Sequence, residues 1–161
     1  MSPSPGEFRN AWGKFPTGVS IVTTHTEQGA PYCTTANAVS SVSLDPLLLQ
    51  LSMATASSTC ANITRDGRFG VNFLREEDAE LATFFAKASG AEREKIPSDH
   101  SVFESGTIGL NDALVVMDCR VVQAVEAGDH IVFIAEVVEL EVREGRPLVF
   151  YEGTFSGVSF P

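Results

Sequence analysis

From Cys33 to Ser43 the chain reads Cys-Thr-Thr-Ala-Asn-Ala-Val-Ser-Ser-Val-Ser. A strand that buried only core would carry bulky apolar side chains on its inner face. This run offers Thr35, Asn37, Ser41 and Ser43 at period two, with small residues such as Ala36 between them. Small side chains let a flat ring approach the backbone, and hydroxyl, amide and main-chain groups can bond its polar edge. An exposed antiparallel strand with a polar outer face would look the same. Three adjacent hydroxyls, Ser57-Ser58-Thr59, open a helical stretch. Unpaired N–H groups and the positive end of the helix dipole meet there, which suits a phosphate. Plain N-capping by Ser57 or Ser58 accounts for the same residues. His130 follows a Gly128-Asp129 turn, at a strand start where a barrel mouth would lie or as a solvated turn residue. Phe150, Tyr151 and Phe155 suit either edge-strand packing or a stack beside a planar ligand.

Other chemistries leave no trace. There is no GxGxxG after a strand, no P-loop, no HExxH and no GxSxG. His25, His100 and His130 are too scattered to be a metal set. Cys33, Cys60 and Cys119 are odd in number and widely spaced, so they read as small apolar residues rather than disulfide or zinc ligands. A formal net charge of -10 without a Lys/Arg cluster argues against nucleic acid and against anionic membrane surfaces. With no secretory pattern at the start and no apolar run long enough for a bilayer, the expected compartment is the cytoplasm.

The 161 residues fit one domain, 1–161, with residues 1–6 as a loose tail. A short helix is expected over Phe8 to Phe15, with Phe8, Ala11, Trp12 and Phe15 on one face. Strands are expected over Gly18–His25, Tyr32–Val42, Leu47–Met53 and Phe69–Leu74, with a short helix over Ala54–Ile63 between the last two. Glu76–Lys87 is the clearest helix, acidic in its first turn and followed by Gly90. Residues 89–111 have no period and should lie on the surface or cover a pocket. Two long strands, Ala113–Glu126 and Ile131–Arg143, flank the Gly128-Asp129 turn, and two short ones, Pro147–Tyr151 and Phe155–Phe160, end the chain. Tight turns between strands favour antiparallel pairing. The expectation is a mainly β protein, a closed or nearly closed barrel with helices outside it.

Read in order, these landmarks resemble the short-chain flavin reductase family. They are Phe15-Pro16-Thr17-Gly18-Val19, the Thr/Ala/Asn strand leading to Ser41-Val42-Ser43-Leu44-Asp45-Pro46, Ser57-Ser58-Thr59, Gly70-Val71-Asn72-Phe73-Leu74 and Gly128-Asp129-His130. The similarity runs from about Phe8 to Phe155. It implies a split, antiparallel, Greek-key-like β-barrel and a homodimer with flavin near the subunit interface. It implies NADH- or NADPH-dependent reduction of FMN or FAD, with reduced flavin passed to a separate monooxygenase. Carried over, Thr35, Ala36, Asn37, Ser41 and Val42 would line the isoalloxazine and ribityl chain. Ser57, Ser58 and Thr59 would hold the phosphate, His130 would lie on the nicotinamide side as the catalytic residue, and Phe155 takes an aromatic position. The pattern departs at Glu92-Arg93-Glu94-Lys95-Ile96, where Ile96 replaces an aromatic, and residues 98–107 match no part of it. Two other readings are an FMN-holding electron-transfer protein and a cofactor-free barrel that binds other proteins.

Overall fold

A computed structural model describes residues 2–158. The chain opens with helix α1 (Pro5–Trp12), then β1 (Thr17–Gly18), β2 (Ser20–His25), β3 (Pro31–Ala36), β4 (Val39–Leu44) and β5 (Leu47–Ala54). Helix α2 (Ser58–Asp66), β6 (Arg68–Phe73) and helix α3 (Ala79–Lys87) follow. The remainder is β7 (His100–Val102), β8 (Ile108–Leu110), β9 (Val115–Ala127), β10 (His130–Val142), β11 (Leu148–Tyr151) and β12 (Thr154–Gly157). Seven strands form one antiparallel sheet in the order β3-β2-β6-β9-β10-β5-β4. β1, β11 and β12 form a smaller sheet, and β7 and β8 a hairpin.

The connection from β3 to β4 dictates the shape. These strands are the two edges of the large sheet, yet only Asn37 and Ala38 separate them. In a flat sheet the six intervening spacings would set the edges about 29 Å apart. Three residue steps, Ala36 to Val39, reach about 11 Å at most. The sheet must therefore curl until its edges meet. No ladder joins β3 to β4, so the result is a barrel with a seam. Register shifts in the β9–β10 ladder, at Ile134/Ala135 and Val137/Glu139, supply the local bends that such curvature requires. The expectation of one strand over Tyr32–Val42 is thus corrected: the run is two strands at opposite edges, and Thr35, Asn37, Ser41 and Ser43 share no single strand face.

Two apolar clusters lie on the two sides of the barrel wall. The inner one gathers Val22, Leu49, Leu51, Phe69, Val71 and Phe133, capped by Cys60 and Ile63 of α2. The outer one joins Ile21, Cys33, Val116 and Leu148 to Ala82 and Phe85 of α3. β2 is buried on both faces because it separates them. Asn72, fully buried, donates to the Ile21 carbonyl at 3.0 Å and accepts from the Leu110 N–H at 2.8 Å, which ties β8 across the wall. Gly70 permits that crossing, since a Cβ there would lie 2.6 Å from the Ile108 carbonyl oxygen.

The ends of the chain differ from the expectation. The first six residues are not all a tail: Ser4 caps α1, accepting from the Glu7 N–H at 3.3 Å while the Glu7 carboxylate accepts from the Ser4 N–H at 2.8 Å. The helix starts earlier than expected because this reciprocal pair and Pro5 set its first turn. The last strand covers Thr154–Gly157, and residues 159–160 of the expected one lie outside the described residues. The stretch 89–111 holds a 3-10 turn at Gly90–Glu94 and the β7–β8 hairpin. Its Arg93 pins α3 to β3, donating to the carbonyls of Phe85 at 3.0 Å and Cys33 at 3.3 Å.

Candidate active site

Three segments converge where the seam meets the start of β10. His130 pairs opposite Ala54, the last residue of β5. The Asp129 carbonyl accepts from the Thr55 N–H at 3.0 Å, which clamps the Gly128-Asp129 turn to the segment entering α2. The Ser52 N–H donates to the Ala38 carbonyl at 3.0 Å, which holds the two-residue link against the same end of β5. Asn37 donates from Nδ2 to the Thr17 hydroxyl at 3.2 Å. Asn37 and His130 open onto one groove of about 870 Å³, walled by α1 and Phe150.

Each expected site residue has a definite place. The Thr35 hydroxyl donates to the Ala82 carbonyl of α3 at 2.7 Å, so it faces the outer layer. Ala36 packs in the inner core. Ser41 is exposed on β4, and Val42 sits unpaired in a register shift between Ser41 and Ser43. Ser57 is the N-cap of α2: its Oγ accepts from the Cys60 N–H at 3.1 Å and donates to the Ala54 carbonyl at 2.8 Å. Ser58 is exposed, whereas Thr59 is buried. Phe155 is half-buried and backs Phe150, their ring centroids 5.3 Å apart. Asn37 and His130 are brought together, Ser57 and Ser58 stand one clamp away, and Thr35 and Phe155 face elsewhere.

His130 is half-exposed, with Nδ1 2.7 Å from Asp129 Oδ1. The imidazole beside it holds the Asp129 carboxyl below its ordinary range. A carboxylate on Nδ1 selects the tautomer that carries its proton there, leaving Nε2 as an acceptor. The start of α2 suits a phosphate in a specific way. Among the described residues, the N–H groups of Ser58 and Thr59 have no partner, because the cap takes Cys60 and helical bonding begins beyond. No cluster of three His, Cys, Asp or Glu residues that could hold a metal occurs among the described residues.

The sequence reading missed the α1 wall. Phe8, Trp12 and Phe15 fall on one helical face, which reads as core, yet α1 has no buried residue. The available signal was that these three are all aromatic, with cationic Arg9 and Lys14 between them. Lys14 is paired with Glu152, and the Glu152 N–H donates to the Gly13 carbonyl at 3.1 Å, so α1 is fastened to the β11–β12 turn. A smaller cavity, about 480 Å³, lies by Thr24, Arg65 and Thr107. Its two arginines are committed, Arg65 to Asp66 and Arg68 to Asp118.

Comparison with known proteins identifies the family. The family model described as flavin reductase like domain matches residues 12–159. The reductase component of a flavin-dependent trigonelline monooxygenase from Acinetobacter baylyi is 36% identical over 92% of this chain. The chain spans 47% of that relative's length. An NADH-dependent FMN reductase from Streptomyces nodosus subsp. asukaensis is 36% identical over 99% of this chain and 88% of its own. The solved structure of the flavin reductase PheA2 superposes with a TM-score of 0.86 at 35% identity, covering 98% of this chain and 100% of that one. With the family model matched over most of the chain and the fold superposing on a solved relative, this chain belongs to the flavin reductase like domain family.

Proposed function

We propose that the chain catalyses hydride transfer from NADH or NADPH to FMN or FAD. The observation that carries this reading is the meeting of Asn37 and His130 at one groove on the barrel seam, with the capped start of α2 tied to its rim by the Thr55–Asp129 hydrogen bond. The flavin supplies the ring that accepts the hydride, and the donor leaves as the oxidised nicotinamide. The protein's part is to hold two rings in register, at roughly 3–3.5 Å between reacting atoms. Ser58 and the N–H groups of Ser58 and Thr59 bind the phosphate. Asn37 bonds the flavin edge. His130, its Nδ1 held by Asp129, turns Nε2 to the nicotinamide side and orients the donor. Mixing the protein with each nicotinamide and each flavin, and following nicotinamide absorbance, tests the reading. Oxidation no faster than the protein-free rate in all four mixtures would refute it.

Similarity to the trigonelline monooxygenase reductase component supports delivery of reduced flavin to a separate oxygenase. A homodimer is supported by an aliphatic surface. Leu44, 86% exposed, and Leu47 sit at the β4–β5 turn. β10, whose Glu136 pairs with Leu48, carries exposed Val138, Leu140 and Val142 past them. A second copy buries this patch by a two-fold contact, which sets the interface apart from the groove, whereas the resemblance implies flavin close to it. The cytoplasm suits three buried, unpaired thiols. Sedimentation of Leu44→Asp against the unaltered chain tests the dimer, and equal masses would refute it.

A further inference from the structure

Helix α1 buries none of its residues. Phe8, Trp12 and Phe15 remain 64%, 59% and 61% exposed. Their rings form a continuous ladder: Phe8 and Trp12 lie 6.1 Å apart at 16°, Trp12 and Phe15 5.6 Å apart at 38°. The ladder walls the groove that holds Asn37 and His130. Arg9 opens onto the same groove and, among the described residues, its side chain has no ion pair or hydrogen bond. Aromatic faces with one unengaged guanidinium recognise a purine nucleotide, the base by stacking and the phosphate by paired N–H donors. The groove's volume, about 870 Å³, lies near the upper end for small-molecule pockets and leaves space beyond the reacting rings.

A second copy of the chain is a poorer occupant. The aliphatic patch that suits a dimer lies at the far end of β10, up to about 40 Å along the strand from His130. Its residues are Leu and Val, whereas the groove wall is aromatic and carries a cation.

We propose that Phe8, Trp12, Phe15 and Arg9 bind the adenosine phosphate half of a dinucleotide, carried by NADH or by FAD. This rests on the groove being the flavin and nicotinamide site. Trp12 is the single tryptophan of the chain and reports directly. AMP added to flavin-free protein should quench its fluorescence saturably, while ribose 5-phosphate should not. By calorimetry, Trp12→Ala should weaken AMP about tenfold, the size of one base stack, and Trp12→Phe should keep most of the affinity. Arg9→Ala should weaken AMP more than adenosine. Kinetics then separate the sources. If NADH brings the adenosine, Trp12→Ala raises its KM about tenfold more than that of dihydronicotinamide mononucleotide. If FAD brings it, the same excess is seen for FAD over FMN. No saturable AMP binding, with both ratios unchanged in Trp12→Ala and Trp12→Phe, overturns the proposal even though NADH still reduces FMN. A changed oligomeric state with unchanged AMP affinity overturns it too, by assigning the wall to a partner. Failure of the unaltered protein to reduce any flavin removes the parent reading instead.

Discussion

Ser57 and Ser58 are adjacent hydroxyls with separable jobs, and single substitutions should part them. The Ser57 Oγ is occupied on both sides, by the Cys60 N–H at 3.1 Å and the Ala54 carbonyl at 2.8 Å. Removing an N-cap of this kind costs about 1 kcal/mol, so Ser57→Ala should lower the melting temperature by about 2–4 °C for a chain of this length. Its effect on phosphate recognition should be slight, because that hydroxyl faces the helix. Ser58 is exposed, and its hydroxyl makes no hydrogen bond among the described residues. The proposed bond from Ser58 to a phosphate would be charge-assisted, worth roughly 1.5–3 kcal/mol, and the neighbouring N–H groups would keep the loss near the low end. Ser58→Ala should therefore reduce the preference for FMN over riboflavin about tenfold and leave stability within about 0.5 kcal/mol. The assay is the ratio of FMN to riboflavin dissociation constants by flavin fluorescence, alongside thermal melts. If Ser57→Ala lowers that ratio as far as Ser58→Ala while melting normally, the capping assignment is wrong. If neither moves it, the phosphate binds elsewhere.

Four further outcomes are expected. His130→Ala should cut kcat/KM for NADH by ~10–100-fold, about 1.4–2.7 kcal/mol, with FMN affinity within a few-fold; an unchanged stopped-flow reduction rate would leave His130 a bystander. Arg68→Ala strips the ion partner, 3.0 Å away, from fully buried Asp118 and should cost about 3 kcal/mol by urea unfolding, the low end for buried pairs since Arg68 is 31% exposed; Asp118 would keep only the Thr107 hydroxyl at 2.7 Å, and a loss below about 1 kcal/mol would contradict this. Gly70→Ala pushes a Cβ against the Ile108 carbonyl and should cost about 2–3 kcal/mol, whereas Gly18→Ala meets open space and should be near neutral, so equal urea midpoints would refute the close-approach argument. Burial pushes the Cys33 thiol up to about 12 and raises Cys60 and Cys119 as well; a thiol reagent at mildly alkaline pH should find none of them until the chain unfolds, and prompt labelling of even one contradicts the burial.

Local signals recovered the elements that local physics decides. The Gly128-Asp129 turn located the β9–β10 hairpin, found as Val115–Ala127 and His130–Val142. Acidic residues at 76–78 marked the entry to α3, although the structure gives them a separate 3-10 turn. The seam was not legible: nothing between Tyr32 and Val42 is a Gly or Pro, and the break at Asn37-Ala38 follows from closure of the whole sheet. The three-residue strands β7 and β8 are too short to show a period. At the site, residue types pointed to Asn37, Ser58 and His130. Type alone does not say that the Thr35 hydroxyl turns to α3 or that Thr59 is buried, because both depend on which layer covers the strand or helix. The Ser4-Glu7 capping box, like the aromatic wall of α1, was offered by the sequence pattern and passed over.

The seam gives the binding site a thermodynamic role besides a chemical one. Since among the described residues no ladder bonds cross from β3 to β4, the Asn37-Ala38 link is what clasps that line. If flavin rests on Asn37 as proposed, it bridges what the ladder leaves open, and barrel opening and flavin release become linked equilibria. At a hundredfold excess over its dissociation constant, the ligand adds about 2.7 kcal/mol to the closed form. Amide hydrogens along the seam edges of β3 and β4 should then exchange with solvent more slowly when flavin is present, while those of central β6 and β9, already protected on both sides, should change least.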